Sequence, residues 1–570
     1  NDYTDDYKSR GEWVNYLAGG SSVLPDSAGL NIPVDMAFAF HSDAGTTPND
    51  SIIGTLGIFC TGINGAEPKF ANKINRYVSR DLVDLIMTNI VNDIRRLHEP
   101  EWTRRGMWNQ SYFEARVPQV PTMLLELLSH QNFADMRYGL DPRFRFTVSR
   151  AIYKGMLQFL SHQYNRDYVV QPLPVDHFSS VLSDEGEVSL RWNAVNDPLE
   201  TTAVPDKYIV YTRIGDGSFD NGVLVDDTFF RRRVEPGKIY SFKITAVNEG
   251  GESFPSEILS VYRAPQSKGM VLIVNGFDRV SAPDDFVSDG IAGFYDEKDH
   301  GVPYLRDINY IGSQYEFRRR IPWMDDDAAG FGASRSVYED KVIAGNTFDY
   351  PALHGRSIAK AGYSFVSSSD EAVMDGMTDV NKYRYIDLIL GKEKQVKMGR
   401  GVYDAQFKTF PAALQNAIAG YCRQGGRILV TGAFIATDLW DREDALEEDK
   451  KFATDILHYS WRTGQASVEG KVKSVASPFK MFEKQAPEFY NVPNEQSYVV
   501  ESPDGIEPSG EGSYTIFRYA ENNLSAGIAY DGQEYKTCIL GFPFESIKEE
   551  RQRDILMKSI LNFFEENNTK

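Results

Sequence analysis

Blocks of apolar and polar residues alternate through the first third of the chain. RGEWVNYLAG, from Arg10 to Gly19, has the three-to-four spacing of a helix, whereas VDMAFAF, ending at Phe40, and GTLGIFC, ending at Cys60, are apolar runs of strand length. ANKINRYVSRDLVDLIMTNIVNDIRRL places Ile74, Val78, Leu82, Leu85 and Ile86 on one side of a long amphipathic helix. PTMLLELL reads as a third strand and DPRFRFTVSRAIYKGMLQFLSHQY as a closing helix. Strand and helix in alternation predict an α/β unit over residues 1–168.

The texture changes near Val170. From there to Pro265 the chain runs as short alternating strands, EVSLRWNAV, KYIVYTRI and YSFKITAVN, separated by turns such as NEGGES, which is the rhythm of a β-sandwich. Trp192 stands on an early strand as a core plug. Trp192, Tyr240, Ala246, Asn248 and Gly251, in that order, give residues 169–265 a resemblance to a fibronectin type III module, which implies a spacing or docking role.

After APQSKG, the run MVLIVNGFDR begins a second α/β unit, 266–570. KYRYIDLILG, the helix FPAALQNAIAGYC, the break RQGG, the strand RILVTGAF, the strand CILGFPFE and the helix RQRDILMKSILNFFEE are its main pieces. Their order resembles the flavodoxin-like, three-layer fold of class I glutamine amidotransferases. That family's nucleophile is a cysteine on a sharp strand-to-helix turn. Here Cys422 lies near a helix end, and the elbow position after RILVTG carries Ala433 and Phe434, so a structural thiol is expected. Neither GxGxxG nor a P-loop appears.

Composition narrows the function classes. With 61 Lys+Arg against 81 Asp+Glu, the formal charge of -20 repels polyphosphate and argues against nucleic acid as a partner. The runs Arg231–Arg233 and Arg318–Arg320 read as solvated faces. The three cysteines are far apart in sequence, so disulfides are not expected to staple the fold. No apolar stretch is long enough to span a bilayer, and the abrupt start on NDYTDDYKSRGEWVNYL suggests that a signal segment has been removed.

Chemistry concentrates on two residues. His41 follows an apolar strand directly, and Glu126 is a carboxylate inside another, an expensive position for a charge without a partner. RGEWVNYL, VDMAFAFHSDA, GTLGIFC and RRGMWNQSYFEARVPQVPTMLLELLSHQNFADMRYGL together resemble the second half of zinc-dependent N-acetylmuramoyl-L-alanine amidases. AFHSD approximates a Ser-Ile-His-Ala-Asn-like motif; Arg105-Gly106 falls where the family has an Asn-Arg-Gly-like turn. Pro121 to Glu126 and Ser129 to Asp135 approximate the last strand and the segment after it. The resemblance implies His41 as a zinc ligand and Glu126 as general base, cleaving the amide between N-acetylmuramic acid and L-alanine of peptidoglycan. It also implies a periplasmic, cell-surface or secreted location.

The family's other two zinc ligands belong ahead of Asn1, so weak or absent zinc uptake is expected of this chain. His98, His130, His162, His177, His300, His354 and His458 form no ligand pair with His41, and surface or capping roles are expected for them, with His130 nearest to the motif. Asp43 reads as a turn cap. Two other readings follow from the same residues. One is a non-catalytic scaffold binding a cell-envelope glycan, with aromatic clusters such as WNQSYF available for stacking. The other is a polysaccharide lyase, because the domain order resembles bacterial proteins labelled xanthan lyases.

Overall fold

The computed structural model describes residues 2–47, 49, 51–63, 67–288, 290–295, 297–307, 313–314, 317, 334–335 and 341–566. The chain is multidomain, with mixed α/β content and large β-sheets.

The first unit opens with helix α1 (Asp2–Ala18), followed by strands β1 (Ala37–Asp43) and β2 (Thr55–Phe59) and helix α2 (Tyr77–Leu97). Strand β3 (Arg104–Asn109), the single-turn helix α3 (Phe113–Arg116), strand β4 (Thr122–Ser129) and helices α4 (Phe133–Gly139) and α5 (Pro142–Tyr164) complete it. The sheet order is β1-β4-β2-β3. β1 runs parallel to β4 and β2 parallel to β3, while β2 and β4 are antiparallel.

Amphipathicity explains the layering. α2 buries Leu82, Val83, Ile86, Met87 and Ile90, and α5 joins it through Phe144, Val148, Ala151 and Phe159, forming one core with Met123, Leu125 and Leu127 of β4. Gly155 permits the close crossing, because a Cβ there would sit 2.6 Å from Ile86 Cα. Asp141 caps α5 by accepting from the Arg143 amide, and Pro142 follows at the position where a missing N–H costs nothing.

Three expectations change. β1 is an edge strand with Phe40 exposed, not a buried run. Arg105-Gly106, read as a turn, lies inside β3, where Gly106 takes a positive φ of 142° and the pairing with β2 shifts register. α2 begins only at Tyr77, leaving Ile74 outside it and exposed, because the Asn75 side chain accepts from the Tyr77 amide and caps the start.

Residues 176–262 form the sandwich strands. Trp192 and Tyr240 are buried in its core, and the Tyr240 hydroxyl accepts from the Glu235 amide at 3.3 Å. The strands Met270–Asn275, Ser364–Ser369, Tyr385–Gly391, Arg427–Gly432 and Lys536–Leu540 then form a parallel sheet. Numbered by sequence, their spatial order is 2-1-3-4-5. Successive side chains face opposite layers: Leu272 and Val274 meet the helix Ala412–Arg423, while Val271 and Ile273 share a core with Pro351–Ala361 and Glu550–Glu565.

The sandwich is not strung on a free linker. Tyr262 pairs with Phe365 and Ser179 with Ser368, so the sandwich continues the parallel sheet. Cys60, Cys422 and Cys538 are all buried and free. Burial pushes the Cys422 thiol up to about 12, which leaves it an inert core group. Arg231 and Arg233 are exposed, as expected of a solvated face, whereas Arg232 is half-buried and donates to Thr212 Oγ1 at 2.8 Å; Arg318–Arg320 lie outside the described residues.

Candidate active site

His41 and Glu126 are direct neighbours. β1 and β4 run parallel with His41 opposite Glu126, and paired residues in a sheet point to the same side. That side is the one that α2 and α5 leave uncovered: Leu56, Ile58 and Leu124 make a small apolar floor with Ala115 of α3. The register follows from the hydrophobic pattern, since Met123, Leu125 and Leu127 must face the large core, which turns Leu124 and Glu126 outward.

A third residue completes the arrangement. Glu114, on the one-turn helix α3 between β3 and β4, brings Oε2 to 3.0 Å from His41 Nε2, and its other oxygen lies 3.4 Å from Arg10 Nη1 on α1. Sequence reasoning did not single Glu114 out. Its signal was weak, an acid inside the aromatic turn SYFEARV.

The surroundings set the protonation of Glu126. Its Oε2 is buried without a hydrogen-bond partner. Burial pushes this carboxyl above the usual range, opposed by His41 and Arg105 and reinforced by Asp43 and Glu114. Asp43 behaves in the opposite way. Although burial works to raise its carboxyl, the Arg105 guanidinium at 2.5 Å and the Ala44 amide hold it below the ordinary value. Asp43 is therefore both a turn cap and an anchor for Arg105. His130 contacts Ser42 Oγ through Nδ1 at 3.0 Å, beside the site rather than in it. Asp135 is structural: its carboxylate accepts from the amides of Ile53, Gly54 and Ser129.

A groove of about 380 Å³ runs along the same edge, between α1 and β1, lined among others by Arg10, Val14, Phe38, Phe40, His41 and Glu114. Its polar end is the Arg10–Glu114–His41 chain of contacts. Trp13, Phe40, Trp108 and Tyr112 are exposed large aromatics of this unit. Trp108 and Tyr112 belong to the WNQSYF cluster.

A catalytic zinc needs three protein ligands and an open position. His41 and Glu114 supply two donors, already engaged with each other. Among the described residues, the group that brings three ligand atoms within 4.8 Å of one another is Asp278, Asp370 and Glu371, far from His41 in sequence and beyond the ends of strands outside this sheet. The residues around His41 therefore do not fit a zinc centre on their own. The remaining histidines divide. His162 is exposed, but His98, His300 and His354 are buried rather than superficial. Burial holds His98 down to about 3, and its Nε2 contacts Thr147 Oγ1 at 2.9 Å. His354 lies between Asp387, 2.8 Å from Nδ1, and Glu545, 3.2 Å from Nε2. These two carboxylates outweigh burial and raise it to about 9.

No protein-family model matches the chain, and no curated protein does. Among solved structures, the N-acetylmuramoyl-L-alanine amidase from Clostridium difficile 630 is similar at 16% identity, over 22% of this chain and 59% of that one, with a TM-score of 0.18. The twitchin kinase region from C. elegans is similar at 25% identity, over 16% of this chain and 17% of that one, with a TM-score of 0.15. The FN3tt mut structure is similar at 20% identity, over 16% of this chain and 94% of that one, with a TM-score of 0.14. Separate, limited parts of this multidomain chain are thus similar to an amidase and to fibronectin type III domains.

Proposed function

We propose that residues 1–168 are a unit of peptidoglycan-amidase type that engages the peptide-bearing glycan of the cell envelope, and that this chain binds the glycan without cutting it. The observation that carries the reading is the His41–Glu126 pairing on one open sheet face, with Glu114 closed onto His41 Nε2. A carboxylate raised by burial beside an imidazole is the proton-transfer half of a hydrolase. The Glu114 contact engages Nε2, one of the two ring nitrogens through which a histidine binds a metal. The groove beside it offers a cation, Arg10, and an apolar wall, Phe38 and Phe40, to a ligand with both anionic peptide and sugar character.

The same proposal assigns 169–265 to a fibronectin type III spacer and 266–570 to a flavodoxin-like three-layer unit, supported by the parallel order 2-1-3-4-5. A peptidoglycan ligand implies a periplasmic, cell-surface or secreted protein. No helix among the described residues is long and apolar enough to cross a membrane.

The test is to incubate the full chain with a soluble muropeptide, with and without added zinc, and to follow both binding and release of the free peptide. Binding without release, weakened when Arg10→Ala removes the groove's cation, is the expected result. Release that zinc stimulates and Glu126→Gln abolishes would restore the hydrolase reading. Neither binding nor release would sink the peptidoglycan assignment.

A further inference from the structure

The carboxyl ends of the first two parallel strands carry a second, unrelated cluster. Met270–Asn275 leads through Gly276 and Phe277 to Asp278, and Ser364–Ser369 leads directly into Asp370 and Glu371. One oxygen from each of Asp278, Asp370 and Glu371 lies within 4.8 Å of the others. Two more acids flank them. Glu393, beyond the third strand, accepts the amides of Asp278 and Arg279 at 3.0 and 2.9 Å. Glu257, from the sandwich, accepts from Asn275 Nδ2 at 2.5 Å.

Proximity of acids alone says little, and the decisive feature is what they lack. Asp370 is more than nine-tenths buried, and its Oδ1 has no hydrogen-bond partner. Asn275 is fully buried; with its amide nitrogen on Glu257, its Oδ1 is likewise left without a donor. Two buried acceptor oxygens without donors, beside clustered carboxylates, are a costly arrangement unless a cation or protons are supplied. The charged groups that act on Glu257, Asp278 and Asp370 are other carboxylates.

The neighbouring cations are committed elsewhere. Arg279 donates to Asp299, Ser281 and the Lys392 carbonyl. Lys392 is held by Asp299 and Glu501, and Lys394 by Asp284 and Asp299. Basic side chains are therefore abundant a few residues away, yet among the described residues none forms an ion pair with Asp278, Asp370 or Glu371, and Asp278 and Asp370 hydrogen-bond to each other.

We propose that Asp278, Asp370 and Glu371 form a calcium-class divalent-cation site that holds together the carboxyl ends of the first two parallel strands. Oxygen-only donors select a hard cation, and the three carboxylate oxygens lie within 4.8 Å of one another; three carboxylates suit calcium, because magnesium keeps several waters and is held through one or two carboxylates. The free Oδ1 of Asn275 lies at the end of the same strand that leads to Asp278. Asp278 and Glu371 are only half-buried, so the ion has a route from solvent. Because Asp278 follows one strand and Asp370 and Glu371 follow its neighbour, occupancy would be read as cohesion between the two.

The experiment uses the full chain, stripped with EDTA and titrated with calcium chloride by calorimetry, with magnesium chloride as competitor and thermal unfolding as a second readout. The expected result is one calcium per chain with a dissociation constant between about 10 µM and 1 mM, tighter than for magnesium. Calcium then raises the unfolding temperature. Asp370→Asn should weaken uptake at least about tenfold, since affinity follows ligand charge. In EDTA the same variant should unfold no earlier than the parent, because it removes repulsion, and that shows it is folded. Absence of calcium uptake up to about 10 mM, beyond the range of even weak extracellular modules, would overturn the proposal. Uptake that Asp370→Asn leaves unchanged would do so equally. Magnesium bound more tightly than calcium would overturn the calcium assignment.

Discussion

Glu126 and Asp370 are both acids at a sheet rim with an oxygen that has no hydrogen-bond partner. Glu126 has two basic groups, His41 and Arg105, set against two acids, Asp43 and Glu114, whereas the charged groups acting on Asp370 are Glu371, Asp278, Glu393 and Glu257, all acids. The first arrangement balances itself and stays open to an exchangeable proton; the second is balanced only by something added. A third group, Arg279, Lys392 and Lys394 with Asp299, Glu501 and Asp284, lies beside the second and is joined by ion pairs, with Glu501 Oε2 left without a hydrogen-bond partner. Burial of a carboxylate is therefore not by itself a sign of catalysis. The sign and freedom of its neighbours decide what it can do.

The sharpest way to break this comparison is to unbalance the paired network. Lys392 is 1% exposed and bridges Asp299 and Glu501 at 3.3 and 2.6 Å. Lys392→Met should destabilise the chain by about 3–5 kcal/mol in urea melts, because Glu501 is left buried without its lysine and Asp299 loses one of its three cations. A loss below about 1 kcal/mol would mean that water already screens the network.

A smaller effect, with a pH signature, is expected at His354. Its value is raised to about 9 from 6.5, so the stability it adds is fully present below 6.5 and is lost as pH rises through about 9. His354→Gln should cost about 2–3 kcal/mol near pH 6, as hydrogen bonds to charged groups are removed, and the gap to the parent should narrow by about pH 10. A gap independent of pH would show that His354 acts only through packing.

Glu126→Gln should change least, by no more than about 1 kcal/mol, and in the stabilising direction. The Glu126 carboxyl is raised in the folded chain. Its favourable share is thus present at low pH and lost as pH rises through the folded value, and the variant's gain should appear above the carboxylate range. Chemical denaturation at two pH values measures it. A large destabilisation would mean that Glu126 holds β1 to β4 rather than facing the cleft.

Much of the scaffold was legible in the chain. α5 announces itself by Asp141 and Pro142 ahead of a periodic apolar face, and the sandwich by alternating strands around Trp192 and Tyr240. β3 was not legible, because RRGMWN has no apolar alternation and its pairing depends on a shifted register at Gly106. The placement of His41 beside Glu126 could be expected from strand order; the engagement of His41 by Glu114 could not, since 73 residues separate them. Asp278 and the Asp370-Glu371 pair each follow a buried strand, a faint repeat that gains meaning only when the two strands prove to be adjacent.

What the sequence determined by itself is the local grammar: which stretches are helices or strands, which faces of α2 and β4 are apolar, where helices start, and that the thiols belong in cores. These follow from near-neighbour chemistry, in which side-chain period and caps act over a few residues. Charge compensation was decided only by the tertiary structure. Coulomb energies and desolvation depend on distances between groups from remote segments, so the same aspartate or histidine becomes a paired anchor, a proton carrier or an unmet demand for a cation according to what the fold sets against it.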